Sequence, residues 1–176
     1  EKGLMKIRVH GKNLPKKFRL GAYAMTELTL RDLLGKSRVI KNLEIDIHFR
    51  HHADNGEPMI HENEFRSKPR MFRVVIDPYK TRIDDYGREM SDEEHANEMF
   101  KVLGHELVHV KQYVVGDLSM RSKGMYWKGE LTKIDNMMEY FKSPWEIEAY
   151  GLERYLWLNF IDFWKSNVEK YLEEKE

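Results

Sequence analysis

The chain reads as an α+β protein of one domain. Three features predict this. Alternating apolar residues suggest short strands in the first 80 residues. Two long segments with helical apolar spacing and clear cap signals fill the second half. A length of 176 residues suits a single core. The expected domain is 1–176, with an N-terminal part at 1–116 and a C-terminal loop and helix at 117–176.

Met5 to His10 alternates like a strand. From Ala22 to Leu34 apolar residues recur at helical spacing, and Gly35 closes the segment. Between Val39 and Phe49 the alternation Leu43, Ile45, Ile47, Phe49 predicts a half-buried strand. Residues 50–69 are polar, with Asn55-Gly56 as a turn signal. Phe72 to Ile76 reads as a further strand, stopped by Asp77-Pro78. These strands are expected to form an N-terminal mixed β-sheet.

A long helix follows. Ser91 is a natural N-cap, and Glu94 three residues later completes a capping box. Ala96, Met99, Leu103, Leu107, Val110 and Val114 form one apolar stripe, which Gly116 ends. Residues 117–142 read as loop with short elements. Ser143, Pro144 and Glu146 occupy the N-cap, N1 and N3 positions of a last helix. Ala149, Leu152, Leu156, Phe160 and Phe163 share one face of it.

Composition excludes several functions. Thirty basic and thirty acidic residues balance to zero, so neither nucleic acid nor an anionic membrane is expected as a partner. No apolar run approaches the roughly 18 residues of a membrane span. The chain has no cysteine, so any metal must be held by histidines and carboxylates. No leader is visible, which points to the cytoplasm, with secretion or association with a virion as alternatives. Nothing indicates the oligomeric state.

The stretch His105-Glu106-Leu107-Val108-His109 carries chemistry. On a helix its two imidazoles stand one turn apart on the same side, and both can reach one zinc ion. Glu106 between them can take a proton from a water molecule attacking a carbonyl. The apolar stripe lies on roughly the opposite side, so the histidines are expected to face a cleft.

A catalytic zinc takes three protein ligands. His109 is the last histidine of the chain, so no downstream histidine can serve, and a downstream carboxylate remains as the expected third ligand. Helical-wheel positions place Glu146 near the apolar arc of the last helix and Glu148 on its polar side. Glu146 is therefore the chosen ligand, with Glu148 and Glu153 as alternatives. The competing role for Glu146 is a cap reaching back to the Ser143 backbone.

Uncharged residues at Val102-Leu103-Gly104, Leu107-Val108 and Val110 flank the ligands. This resembles the extended pattern of the zincin metallopeptidases, from which Lys111 departs. Gln112 and Val115 stand where the metzincins have Gly and His. A Glu on a later helix instead resembles the gluzincins, and the Trp-Glu-x-Glu-Ala block resembles small metallopeptidases of phages and bacteria. The likeness covers mainly residues 99–153. It implies His105, His109 and Glu146 as zinc ligands, Glu106 as catalytic base, and a peptide or protein as substrate. Several such families have an Asp four residues after the Glu ligand to support a histidine; here that position is Tyr150. In zincins a strand before the metal helix often pairs with substrate, which by resemblance suggests residues 72–76.

Other features admit plainer readings. His48, His51, His52 and His61 fall around one polar loop and read as solvated. Tyr126, Tyr140 and Tyr150 are equal candidates for stabilising an oxyanion. The expected function is zinc-dependent hydrolysis of peptide bonds. The rivals are an amidase acting on cell-wall or small amide substrates, and a non-catalytic zincin scaffold used for binding or assembly.

Overall fold

The computed structural model describes residues 5–35, 38–51, 59–60 and 68–174. Strands β1 (Lys6–Gly11), β2 (Glu44–Phe49) and β3 (Met71–Ile76) pair in the order β1-β2-β3. All three run parallel. Alternate positions of β2 and β3 are buried, so Ile45, Ile47, Phe72 and Val74 enter the core. The other face carries charge: Arg8 on β1 pairs with Asp46 at 2.6 Å and Glu44 at 3.3 Å on β2.

The expected mixed sheet is thus parallel in its three strands. Among the described residues, antiparallel character enters this sheet only as a bridge from Ile60 to Phe72 at the β3 edge. Alternation reveals a half-buried strand but not its direction; long connections set that. One such connection is α1 (Lys16–Leu34), between β1 and β2. It starts six residues before the periodic segment, because Lys16 and Lys17 are exposed and break the apolar pattern. Residues 38–42 form a short 3₁₀ helix rather than the start of β2.

Helix α2 (Asp92–Val115) follows its sequence signals. The Glu94 amide donates to Ser91 Oγ at 3.2 Å, and the Ser91 amide donates to Glu94 Oε2 at 2.8 Å. Gly116 ends the helix in the left-handed region at φ 85°, where a side chain would be strained.

Between Leu118 and Leu131 three short strands form an antiparallel meander: β4 (Leu118–Arg121), β5 (Gly124–Trp127) and β6 (Glu130–Leu131). Strands of two to four residues are too short to show alternation. The β5–β6 turn has positive φ at Lys128 and Gly129, as in a two-residue hairpin with a less familiar Lys-Gly pair. A short α3 (Met137–Phe141) precedes α4 (Pro144–Glu174).

Helix α4 packs along α2. At Gly104 a Cβ atom would lie 3.2 Å from the Met25 side chain and 3.5 Å from Leu156 Cβ. Val108, Ala149 and Leu156 form a small core between the helices. The histidine side of α2 is therefore covered by α4, rather than facing an open cleft. No helix among the described residues is long and apolar enough to cross a membrane.

Candidate metal centre

His105 and His109 share one face of α2, one turn apart, and Glu146 reaches them from the first turn of α4. Relative exposures are 9%, 8% and 1% for His105, His109 and Glu146. A carboxylate so buried costs several kcal/mol unless opposite charge surrounds it.

The distances define a triangle. His105 Nε2 lies 3.1 Å from Glu146 Oε2, His109 Nε2 lies 3.1 Å from Glu146 Oε1, and the two Nε2 atoms are 3.2 Å apart. Tetrahedral ligands at zinc bond lengths of about 2.0–2.1 Å sit roughly 3.3 Å from one another.

The outer ring nitrogens fix the protons. His105 Nδ1 lies 3.2 Å from Glu153 Oε2, and His109 Nδ1 lies 2.9 Å from Gln112 Oε1. Both partners are acceptors when Glu153 is ionised, so each Nδ1 carries the hydrogen. In a neutral ring the Nε2 is then a lone pair. With both rings neutral, two lone pairs and a carboxylate would converge with no proton between them. Glu146 Oε1 is also the one buried side-chain atom among the described residues without a hydrogen-bond partner. The donor set suits a cation, and His105, His109 and Glu146 could together hold a metal ion.

Electrostatics agree. Burial disfavours the imidazolium of His105, but Glu146 and Glu153 outweigh it and lift its pKa to about 9. His109 is raised by the same opposition of burial and Glu146. Burial works against the Glu146 carboxylate, yet His105, His109 and Tyr140 hold it well below the usual range. Without metal, protons take the cation's place.

The neighbouring acids separate cleanly. Glu148 pairs with Lys111 at 2.9 Å and accepts from Gln112 Nε2 at 3.3 Å. It lies outside the triangle, and the charge of Lys111 has its partner there. Glu153 supports His105 from behind. Ser143 Oγ donates to the Tyr140 carbonyl at 2.6 Å, while the Glu146 carboxylate is directed at the histidines rather than back at the Ser143 backbone.

Glu106 is half-buried beside the cluster, and its charge acts on His105, His109, Tyr140 and Tyr150. Of the three tyrosines, Tyr150 packs on His105 at 4.4 Å between ring centroids. Burial and then Glu146 raise the Tyr140 pKa, so its hydroxyl stays a donor at neutral pH. Tyr126 lies beneath the Arg121 guanidinium at 4.4 Å. His48 and His51 belong to a different region; His52 and His61 lie outside the described residues. The β3 edge is bridged by Ile60 at Phe72.

Gln112 was not singled out as a support for His109. Its signal was present: it stands three residues on, one turn along the same helix face. No protein-family model, curated protein or solved structure matches the chain.

Proposed function

We propose that this chain is a zinc-dependent hydrolase of the gluzincin type that cleaves peptide bonds. The observation that carries this reading is the triangle of His105 Nε2, His109 Nε2 and Glu146, with its orphaned oxygen and Glu106 alongside. Zinc held there would supply Lewis acidity, polarising a carbonyl and making a water molecule easier to deprotonate. Glu106 takes that water's proton and returns it to the departing amine. Tyr140, bonded to Glu146, and Tyr150, packed on His105, are the candidates to donate to the carbonyl oxygen as it gains charge. Phe141 and Tyr150 pack together at 6.4 Å and are about half exposed, beside an exposed Ile147. This apolar rim suits an apolar segment of a peptide.

The near closure of the three ligands favours one other reading, a zinc-bearing scaffold without catalysis. Glu106→Gln separates the two, because an amide cannot accept the proton. The variant should keep zinc and fold while losing hydrolysis of an unbiased peptide library. Equal hydrolysis by both proteins removes Glu106 from the reaction. Hydrolysis by neither supports the scaffold.

A further inference from the structure

The exposed apolar surface is unevenly placed. Most of the large apolar side chains exposed among the described residues lie between Leu131 and Leu158; only Tyr79, Ile83, Tyr86 and Val115 fall elsewhere. Exposed apolar residues scattered singly are ordinary, whereas a concentration of them marks a contact surface.

Helix α4 orders this surface. At about 100° per residue, Ile147, Gly151, Arg154 and Leu158 share one exposed face. It adjoins the face that sends Glu146 and Glu153 to the histidines. Tyr150 stands between the two, its ring 4.4 Å from that of His105 and 6.4 Å from that of Phe141 on α3. Met137 and Met138, one turn before Phe141, are 64% and 77% exposed. From Ile147 to Leu158 the strip is about 16 Å long at about 1.5 Å per residue. That matches about five residues of extended chain at about 3.3 Å each.

Gly151 leaves the middle of the strip bare. It is not among the glycines with positive φ, and a Cβ there would meet nothing within 4 Å. Neither backbone conformation nor internal packing asks for glycine, which weakens a helix relative to alanine. A bare backbone does allow another chain to approach closely.

Charge argues against an anionic membrane as the occupant, because Lys133 and Lys142 are matched by Asp135 and Glu139 in the same segment. A second copy seated on Tyr150 would shut the histidine cluster, where Glu106 is of use only if substrate enters. An apolar polypeptide meets both conditions.

We propose that the strip is the substrate track of the metal centre, and that it takes an extended polypeptide segment with several large apolar side chains, such as folded proteins keep inside. This rests on the hydrolytic reading of the cluster. It favours such segments over cell-wall or small amides, which have little apolar surface to lay on the strip.

The test uses full-length, zinc-loaded Glu106→Gln, which should hold peptide without cleaving it. Two fluorescein-labelled peptides of about ten residues span the strip. One alternates Leu and Phe with Ser; in the other, Ser replaces every Leu and Phe. Anisotropy titration should show the apolar peptide binding about tenfold or more tightly than its counterpart. Ile147→Ser and Met138→Ser, each added to Glu106→Gln, should weaken it by about threefold to tenfold. Both side chains are exposed, so both variants should fold. Gly151→Glu should weaken binding while raising the melting temperature, since glutamate favours helix over glycine. Tyr79→Ser, exposed but outside the strip, should change nothing. Equal binding of the two peptides, or unchanged binding in the strip variants, would overturn the proposal. So would a wild-type dimer that Ile147→Ser dissociates in sedimentation, which would assign the strip to a second copy, or binding of the chain to anionic vesicles without preference between the peptides. Zinc bound without apolar preference removes the track and leaves the zinc reading standing. Apolar preference in a chain that binds no zinc keeps the strip as a polypeptide site and removes the hydrolytic reading.

Discussion

Helix α2 carries histidines to two places, and the two differ in every respect that sets imidazole chemistry. At the C-terminal site, His105 and His109 each have an acceptor on Nδ1 and send Nε2 to a common point. Toward the N-terminal end of α2, His95 is tied to the Pro78 carbonyl at 2.8 Å, while His48 at the end of β2 stacks on His10 and has no side-chain hydrogen bond among the described residues. The pKa shifts run in opposite directions. Carboxylates raise His105 against burial, to about 9. Burial lowers His95 and His48, and neighbouring arginines add to it. The contrast shows that the partner of the second nitrogen and the sign of nearby charge decide what a histidine can do.

The largest effect expected from this contrast is at Glu146. Glu146→Ala removes the one carboxylate inside the triangle and should reduce zinc binding sharply. Glu148→Ala breaks only the partly exposed pair with Lys111 and should leave zinc binding nearly unchanged. Zinc affinity measured by chelator competition, beside melting temperature, distinguishes them. If Glu146→Ala melts earlier but binds zinc normally, Glu146 is a cap and the contrast fails.

A smaller effect is expected one step back. Gln112→Leu and Glu153→Leu each free an Nδ1 hydrogen without touching the ligand atoms. Each should cost about 10–100-fold in zinc affinity. Unchanged affinity in both variants would mean that ring orientation is set by packing alone.

Acidity sharpens the same comparison. Zinc must displace the proton that His105 retains up to about pH 9. Zinc affinity should therefore fall by about tenfold per pH unit for one displaced proton as pH drops below that value. The metal-free fold behaves oppositely. The raised pKa of His105 contributes stability fully present below its ordinary value of 6.5 and lost as pH rises through about 9. Zinc affinity and metal-free melting temperature should thus slope in opposite directions between those values. Parallel slopes would contradict the charge assignment.

Legibility in the sequence followed how local each signal was. The bounds of α2 could be read because Ser91, Glu94 and Gly116 act through adjacent turns. The helix-wheel choice of Glu146 over Glu148 matches its place in the triangle, since one turn of α4 turns the two acids in different directions. Glu153 stands among the alternative ligands, but its bond to His105 depends on how α4 crosses α2 at Gly104. Lys111 broke the apolar pattern until its partner, 37 positions away, was in place. Residues 118–131 read as loop with short elements, but not as a meander, because the strands are short and the turn residues uncommon.

Zinc content most directly tests the central claim, that Glu146 closes a two-histidine metal centre. The full chain would be dialysed against zinc-free buffer after loading and analysed for metal, alongside His105→Ala and His109→Ala. The account predicts one zinc per wild-type chain and loss of that zinc in both variants. Wild-type protein that neither carries nor regains zinc, or variants that retain it, would contradict the account.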